Sequence, residues 1–239
     1  VKGDGSSADG TIQLNCSQNS HGVKIKSPPH SANASYTLTL PNNDGDAGQF
    51  LKTDGSGGLS FDAVSPTFTS DGSFNSVAIG KGANSVAGNT VLGELALDAS
   101  VSGGDNTAIG NRALTSLTSG TNNTSIGRSS LATVTTASNN TAVGYFSLLS
   151  NTTGTRNTAV GAFALDANTT GNDLTAIGFG ALTTNTTGNS NTANGVFALD
   201  VNTTGSNNTG IGYFALSKNT TADNNTALGY NSLFANTTG

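Results

Sequence analysis

The apolar positions of this chain follow two patterns. Over residues 1–64 they form short alternating runs between turn residues. Alternation with a period of two predicts strands, here at residues 11–14, 23–26, 36–40, 49–53 and 59–61. Gly3-Asp4-Gly5, Asp9-Gly10, Asp44-Gly45 and Asp54-Gly55 mark turns, and Ser27-Pro28-Pro29 ends any regular element. From Gly93 onward the apolar positions recur every seventeen residues. Glycine holds one slot, at Gly93, Gly110, Gly127, Gly144, Gly161, Gly178, Gly195, Gly212 and Gly229. Leucine follows four residues later, at Leu97, Leu114, Leu131, Leu148, Leu165, Leu182, Leu199, Leu216 and Leu233. Threonine precedes each glycine by three, from Thr90 to Thr226, and no insertion breaks the count. A short fixed period means that each unit stacks on its neighbours in one register.

The fold class this predicts is all-β: a small N-terminal antiparallel β module (1–64), a connector (65–74, with Pro66 and Asp71-Gly72), and a parallel β-roll or β-solenoid with 17-residue rungs (75–239). Asn75-Ser76-Val77-Ala78-Ile79-Gly80 reads as a shorter first rung. Seventeen residues suit two short strands and two tight bends. In the first strand (residues 140–144), Thr141 and Val143 share one face and Ala142 takes the other. Phe163-Ala164-Leu165 is expected to be the second strand, with Phe163 and Leu165 on one face. Small alanines fit a narrow interior, and the outward apolar residues imply a second covering surface, which another chain can supply. The repeat glycine marks one bend. Asn-Thr-Thr-Gly marks the other, because Asn and Gly tolerate left-handed backbone. At about 4.8 Å per rung, roughly nine rungs stand about 40–45 Å tall. Leucine then forms a continuous core stripe, and asparagine amides bond from rung to rung. Helical repeats need about 34 residues, and Gly with Asn-Thr-Thr in every unit would break them.

Composition changes this picture little. Glycine is abundant (32 of 239 residues) and only 10% of residues are charged, a balance compatible with disorder, but a disordered tract has no reason to keep leucine in one slot. The net charge of −5 comes without any Lys/Arg cluster, which argues against nucleic acid. No apolar run reaches the roughly 18 residues of a membrane-spanning helix, so no membrane insertion is expected, and no signal peptide is visible. A start at Val1 and an end in mid-repeat read as the ordered part of a longer protein. The single Cys16 is expected to be a free thiol.

The rungs Asn75-Ser76-Val77-Ala78-Ile79-Gly80 and Asn106-Thr107-Ala108-Ile109-Gly110 resemble the head repeats of trimeric autotransporter adhesins, and the resemblance covers about residues 74–239. It implies left-handed parallel β-rolls, three chains side by side; the seventeen-residue period departs a little from the usual spacing. Tyr36-Thr37-Leu38-Thr39-Leu40-Pro41, followed by Gly48-Gln49-Phe50-Leu51-Lys52-Thr53-Asp54-Gly55-Ser56-Gly57-Gly58-Leu59-Ser60-Phe61, is similar to a module in tail fibres of tailed bacteriophages. Together these resemblances imply a homotrimer in a virion, reaching for a host surface. The partners implied are further copies of itself, other fibre or virion proteins, and a host-cell surface glycan or protein.

Candidate chemistry is sparse. Asp98, Asp166 and Asp200 share one slot, and Asp166 and Asp200, two rungs or about 9.6 Å apart, stand at the far edge of the spacing for an inverting glycosidase. With Thr183 between them and no general-acid environment, a solvated bend is the preferred reading. Glu94 is the only glutamate. His21 and His30 lie in the irregular front part and read as surface or turn residues rather than metal ligands. No phosphate-binding loop, dinucleotide fingerprint or nucleophile–histidine pair is present, so neither an enzyme nor a cofactor is expected. Asn151, Asn168, Asn185, Asn202, Asn219 and Asn236 each open an N-glycosylation sequon, but bend geometry favours Asn-x-Thr by itself, and a structural ladder is preferred to decoration. Tyr145, Phe179, Tyr213 and Tyr230 follow the repeat glycine, and Phe146, Phe163, Phe197 and Phe214 come next; one set is expected in the core and the other outside. Tyr145, Tyr213 and Tyr230 are the candidate surface contacts, since exposed tyrosine stacks on sugars. Two slots break the pattern: Asn194 replaces the strand's Ile/Val, and Leu174 replaces its Asn.

The function expected is a non-enzymatic, trimeric fibre segment of a phage virion for host attachment, located in the tail fibre or otherwise outside the cell. The alternatives are a bacterial surface-adhesin head and a self-assembling extracellular filament; a polysaccharide depolymerase is the remaining enzymatic idea.

Overall fold

A computed structural model describes residues 11–15, 22–26, 39–42, 49–54, 56, 58–63, 72–75 and 77–237. The chain divides into two units, Val1–Thr67 and Phe68–Gly239. In the first unit, β1 (Thr11–Asn15) pairs antiparallel with β2 (Gly22–Lys26), and β3 (Gln49–Thr53) with β4 (Leu59–Ala63). Alternating runs therefore do become strands. The Asp54 carboxylate holds the β3–β4 turn by accepting from the backbone N–H of Ser56 (2.7 Å) and Gly58 (2.9 Å). Of the strand expected at 36–40, Thr39 forms a single bridge with Gly58, and 36–38 lie outside the described residues. Cys16, His21, His30 and Ser27-Pro28-Pro29 also lie outside them.

The second unit is built on one sheet. It begins with β5 (Gly72–Phe74), β6 (Val77–Gly80) and β7 (Thr90–Leu92), each antiparallel to the next. It continues with β8 (Thr107–Ile109), β9 (Thr124–Ile126), β10 (Thr141–Val143), β11 (Thr158–Val160), β12 (Thr175–Ile177), β13 (Thr192–Asn194), β14 (Thr209–Ile211) and β15 (Thr226–Leu228). From β7 to β15 every pairing is parallel and offset by seventeen residues, as in Thr141↔Thr158. This is a parallel β-solenoid. Among the described residues the only helical element is a 3-10 turn, Ala83–Ser85.

The expected first rung at Asn75–Gly80 is corrected: β6 is the second strand of a hairpin. Asn75, at φ 50, reverses the chain between Phe74 and Val77. The next connection, residues 81–89, is shorter than the fourteen-residue return at 144–157, and it reverses the chain instead of completing a turn. The expected second strand is corrected as well. Phe163 (φ 59) and Leu165 (φ 53) are left-handed, and Ala164 and Leu165 are both fully buried. Each rung thus has one three-residue strand, and the return is a series of tight turns. These stack because their amides bond to neighbouring rungs, Phe163 N–H to Tyr145 O at 2.9 Å and Leu165 N–H to Ala181 O at 3.0 Å. The inter-rung bonds offset the cost of left-handed backbone at non-glycine residues.

The core is narrow. Strand centres point Ala142, Ala159, Ala176 and Ala193 inward, Ser125 and Gly210 fill the same slot, and Leu97 through Leu216 form a buried stripe. Each buried leucine contributes about 1.5–3 kcal/mol. The last of the series, Leu233, is 50% exposed. The repeat glycines pack against the next rung: a Cβ on Gly161 (φ +135) would stand 2.5 Å from Gly178 O. The asparagine bend departs from its expected geometry. Asn151 and Gly154 are not left-handed there; the left-handed residue is Arg156 (φ 59), two positions after the glycine.

Candidate interaction surface

Each strand buries its middle residue and turns the other two outward. Threonine fills the first outward column. The second reads Ile126, Val143, Val160, Ile177, Asn194 and Ile211 over six consecutive rungs. Ile126, Val160, Ile177 and Ile211 keep 37–40% of their surface exposed. Large apolar side chains aligned at the strand spacing form a continuous uncharged strip, the kind of surface that marks an interaction site. Asn194, which replaces the Ile/Val of this slot, lies in this strip and faces outward, so its amide is not buried in the roll.

A second stripe is aromatic. Tyr145, Phe163, Phe179 and Phe197 contact one another in series, with ring centroids 5.3–5.8 Å apart in edge-on geometry. Phe197 then stacks on Phe214 (5.3 Å, 12°), and Tyr213 on Tyr230 (5.7 Å, 6°). Gly180 makes room for this packing, since a Cβ there would meet the Phe197 ring at 2.7 Å. The expected division into a core set and an outer set is corrected: both slots contribute to one surface stripe. Tyr145, Phe179, Tyr213 and Tyr230 are its exposed members, and Phe146, Phe163, Phe197 and Phe214 are half-buried between them. The Arg128 guanidinium lies 5.8 Å from the Tyr145 ring centre.

Two asparagine columns stiffen the body under these stripes. In the first, Asn140 N–H donates to Asn123 Oδ1 (3.0 Å), Asn157 N–H to Asn140 Oδ1 (3.0 Å), and each Nδ2 donates to a carbonyl fourteen residues on, as from Asn140 to Gly154 O (3.0 Å). Leu174 N–H still donates to Asn157 Oδ1 (3.0 Å), but the leucine offers Asn191 no acceptor in return. The second column is the sequon series. Asn168 Nδ2 donates to Asn151 Oδ1 at 2.9 Å and to Gly171 O at 3.1 Å, and Asn185, Asn202 and Asn219 repeat the arrangement. Asn151 to Asn219 are fully buried with both amide atoms engaged, so the folded roll offers none of them for glycosylation. Leu117 and Val134 fill this column in earlier rungs, which explains why the sequon begins only at Asn151.

Thr183 donates to Asp166 Oδ1 at 2.6 Å. Asp200 Oδ1 and Ser217 Oγ, one rung apart in the same column, are buried without partners. Arg156 clasps Asp173 of the next rung with two bonds (2.6 and 2.8 Å), and this bonding holds the Asp173 carboxyl below its ordinary pKa. Among the described residues no three His, Cys, Asp or Glu side chains converge, and no helix is long and apolar enough to cross a membrane. A shallow cavity of about 440 Å³ at the hairpin end is lined by Ser73, Ser85, Leu97 and Asp98, among others. No protein-family model, curated protein or solved structure matches the chain.

Proposed function

We propose that this chain is a non-enzymatic structural and adhesive fibre segment of a phage virion. Copies associate as a homotrimer through the outward apolar column, and the roll serves as a stiff shaft that brings the virion to a host surface. The observation that carries this reading is the uncharged strip from Ile126 to Ile211 on a roll whose interior is already filled. A strip of this kind gains from being covered, and a straight solenoid offers it at one height in every copy. The filled interior and the separated carboxylates favour a mechanical role over a catalytic one. Exposed Tyr145, Tyr213 and Tyr230 are the residues best placed to stack on a host glycan.

Two measurements test the proposal. Sedimentation equilibrium of the full chain is expected to give three times its 23.6 kDa mass. Gold-labelled antibodies against the roll are expected to decorate short spikes on virions. A monomer in solution overturns the trimer; label confined to cell surfaces or to long free threads replaces the virion reading with the adhesin or filament alternative.

A further inference from the structure

The outward column contains one polar residue across its central rungs. Asn194 pairs with Ile177 on one side and Ile211 on the other, and all three point outward. Its backbone carbonyl accepts from Gly212 N–H at 2.8 Å, but among the described residues its side-chain amide has no partner. In the single chain that amide meets water. Once the column is covered, it needs a donor and an acceptor at its own height, because a buried unpaired amide is costly. An apolar neighbour cannot supply them. A second copy of the same chain supplies both by symmetry, provided the copies stand level.

We propose that copies of this chain face one another in register along the outward column, and that Asn194 sets this register by exchanging amide hydrogen bonds with Asn194 of the neighbouring copies. The inference rests on the shared-face reading above and adds its alignment. A slip of one rung, about 4.8 Å, sets each Asn194 amide against isoleucine. The apolar positions alone cannot resist that slip, since Ile, Val or Leu fills this slot in all the rungs from Leu92 to Leu228 except that of Asn194. One buried asparagine in an apolar seam fixes register in the same way between paired helices. The column is about 40 Å long at the strand spacing, so level copies meet along its whole height, whereas a slip of one rung leaves an end rung uncovered.

The test uses the full chain carrying Cys16→Ser, with Asn194→Cys or Asn194→Asp added. Residue 194 is exposed on the single chain, so neither change disturbs the rung, and unchanged circular dichroism checks this. Mild oxidation is expected to link Asn194→Cys copies into disulfide pairs. Asn194→Asp is expected to weaken association at least tenfold at pH 8 relative to pH 4, where the parent shows no such difference. If the parent is oligomeric but Asn194→Cys stays unlinked and Asn194→Asp associates equally at both pH values, the register role is overturned while the shared face stands. If the parent is monomeric, the column belongs to a foreign partner and both readings fall.

Discussion

At Gly161 the repeat turns on a single hydrogen atom. A methyl group there would meet the Gly178 carbonyl oxygen at 2.5 Å and its carbon at 2.7 Å, and backbone in a stacked rung cannot swing aside as a side chain can. Gly161→Ala is expected to destabilise the roll by about 1–3 kcal/mol, read as a lowered midpoint in thermal unfolding. Gly229→Ala shares the left-handed strain (φ +119) but has nothing within 4 Å, so it is expected to cost less. The asparagine columns give a second comparison. Asn157→Leu leaves the buried Leu174 N–H without its acceptor, at about 1–3 kcal/mol. Leu174→Asn instead supplies an acceptor for Asn191, and is expected to cost less than Asn157→Leu in the same unfolding assay. The glycine and leucine columns were legible at this scale because each slot accepts one residue type. The left-handed conformation of Leu165 was not legible: leucine has no preference for it, and stacking imposes it from outside.

Each element is a three-residue strand followed by a long return, and its sequence pattern showed only half of that. Thr-Ala-Val alternation placed the strand and its buried alanine. Phe163-Ala164-Leu165 looked equally like a strand, because the alternation of large and small residues does not distinguish extended backbone from turns whose side chains alternate. Inter-rung bonds and ion pairs operate at this scale. The lowered Asp173 pKa means that the Arg156 bond favours the folded state above the ordinary carboxylate pKa, and that this contribution is lost as pH falls through the lower folded value. Arg156→Ala is expected to return the Asp173 titration, followed by carboxyl NMR, to the ordinary range. Its effect on stability is expected to be small and salt-sensitive, since the pair is exposed. The sequons make a sharper case. Expressed through a glycosylating secretory pathway, chains modified at Asn168 are expected not to fold, and mass spectrometry of the folded fraction should find that residue bare. A glycan on Asn168 in folded material would contradict the ladder.

The second unit is closed at one end by a hairpin. The β5–β6 hairpin covers the first parallel strand, whereas β15 ends the sheet with Leu228 76% exposed and Tyr230 74% exposed. The seventeen-residue count foretold the parallel stack, but the closing hairpin needed the structure, because Val77-Ala78-Ile79-Gly80 carries the same motif as the true rungs. Outward-facing apolar residues were legible from strand alternation; the extent of the strip became visible only with the strands in register. A charge in the middle of that strip, as in Val160→Asp, is expected to dissociate the copies at neutral pH while leaving the circular dichroism of the rungs unchanged. The most direct test of the whole account is a cryo-electron microscopy map of the purified chain in solution. Three level rolls are expected, with rungs about 4.8 Å apart and with Ile126, Val160, Ile177 and Asn194 turned toward a common axis. Single rolls with that column facing solvent, or copies joined through another face, would contradict it.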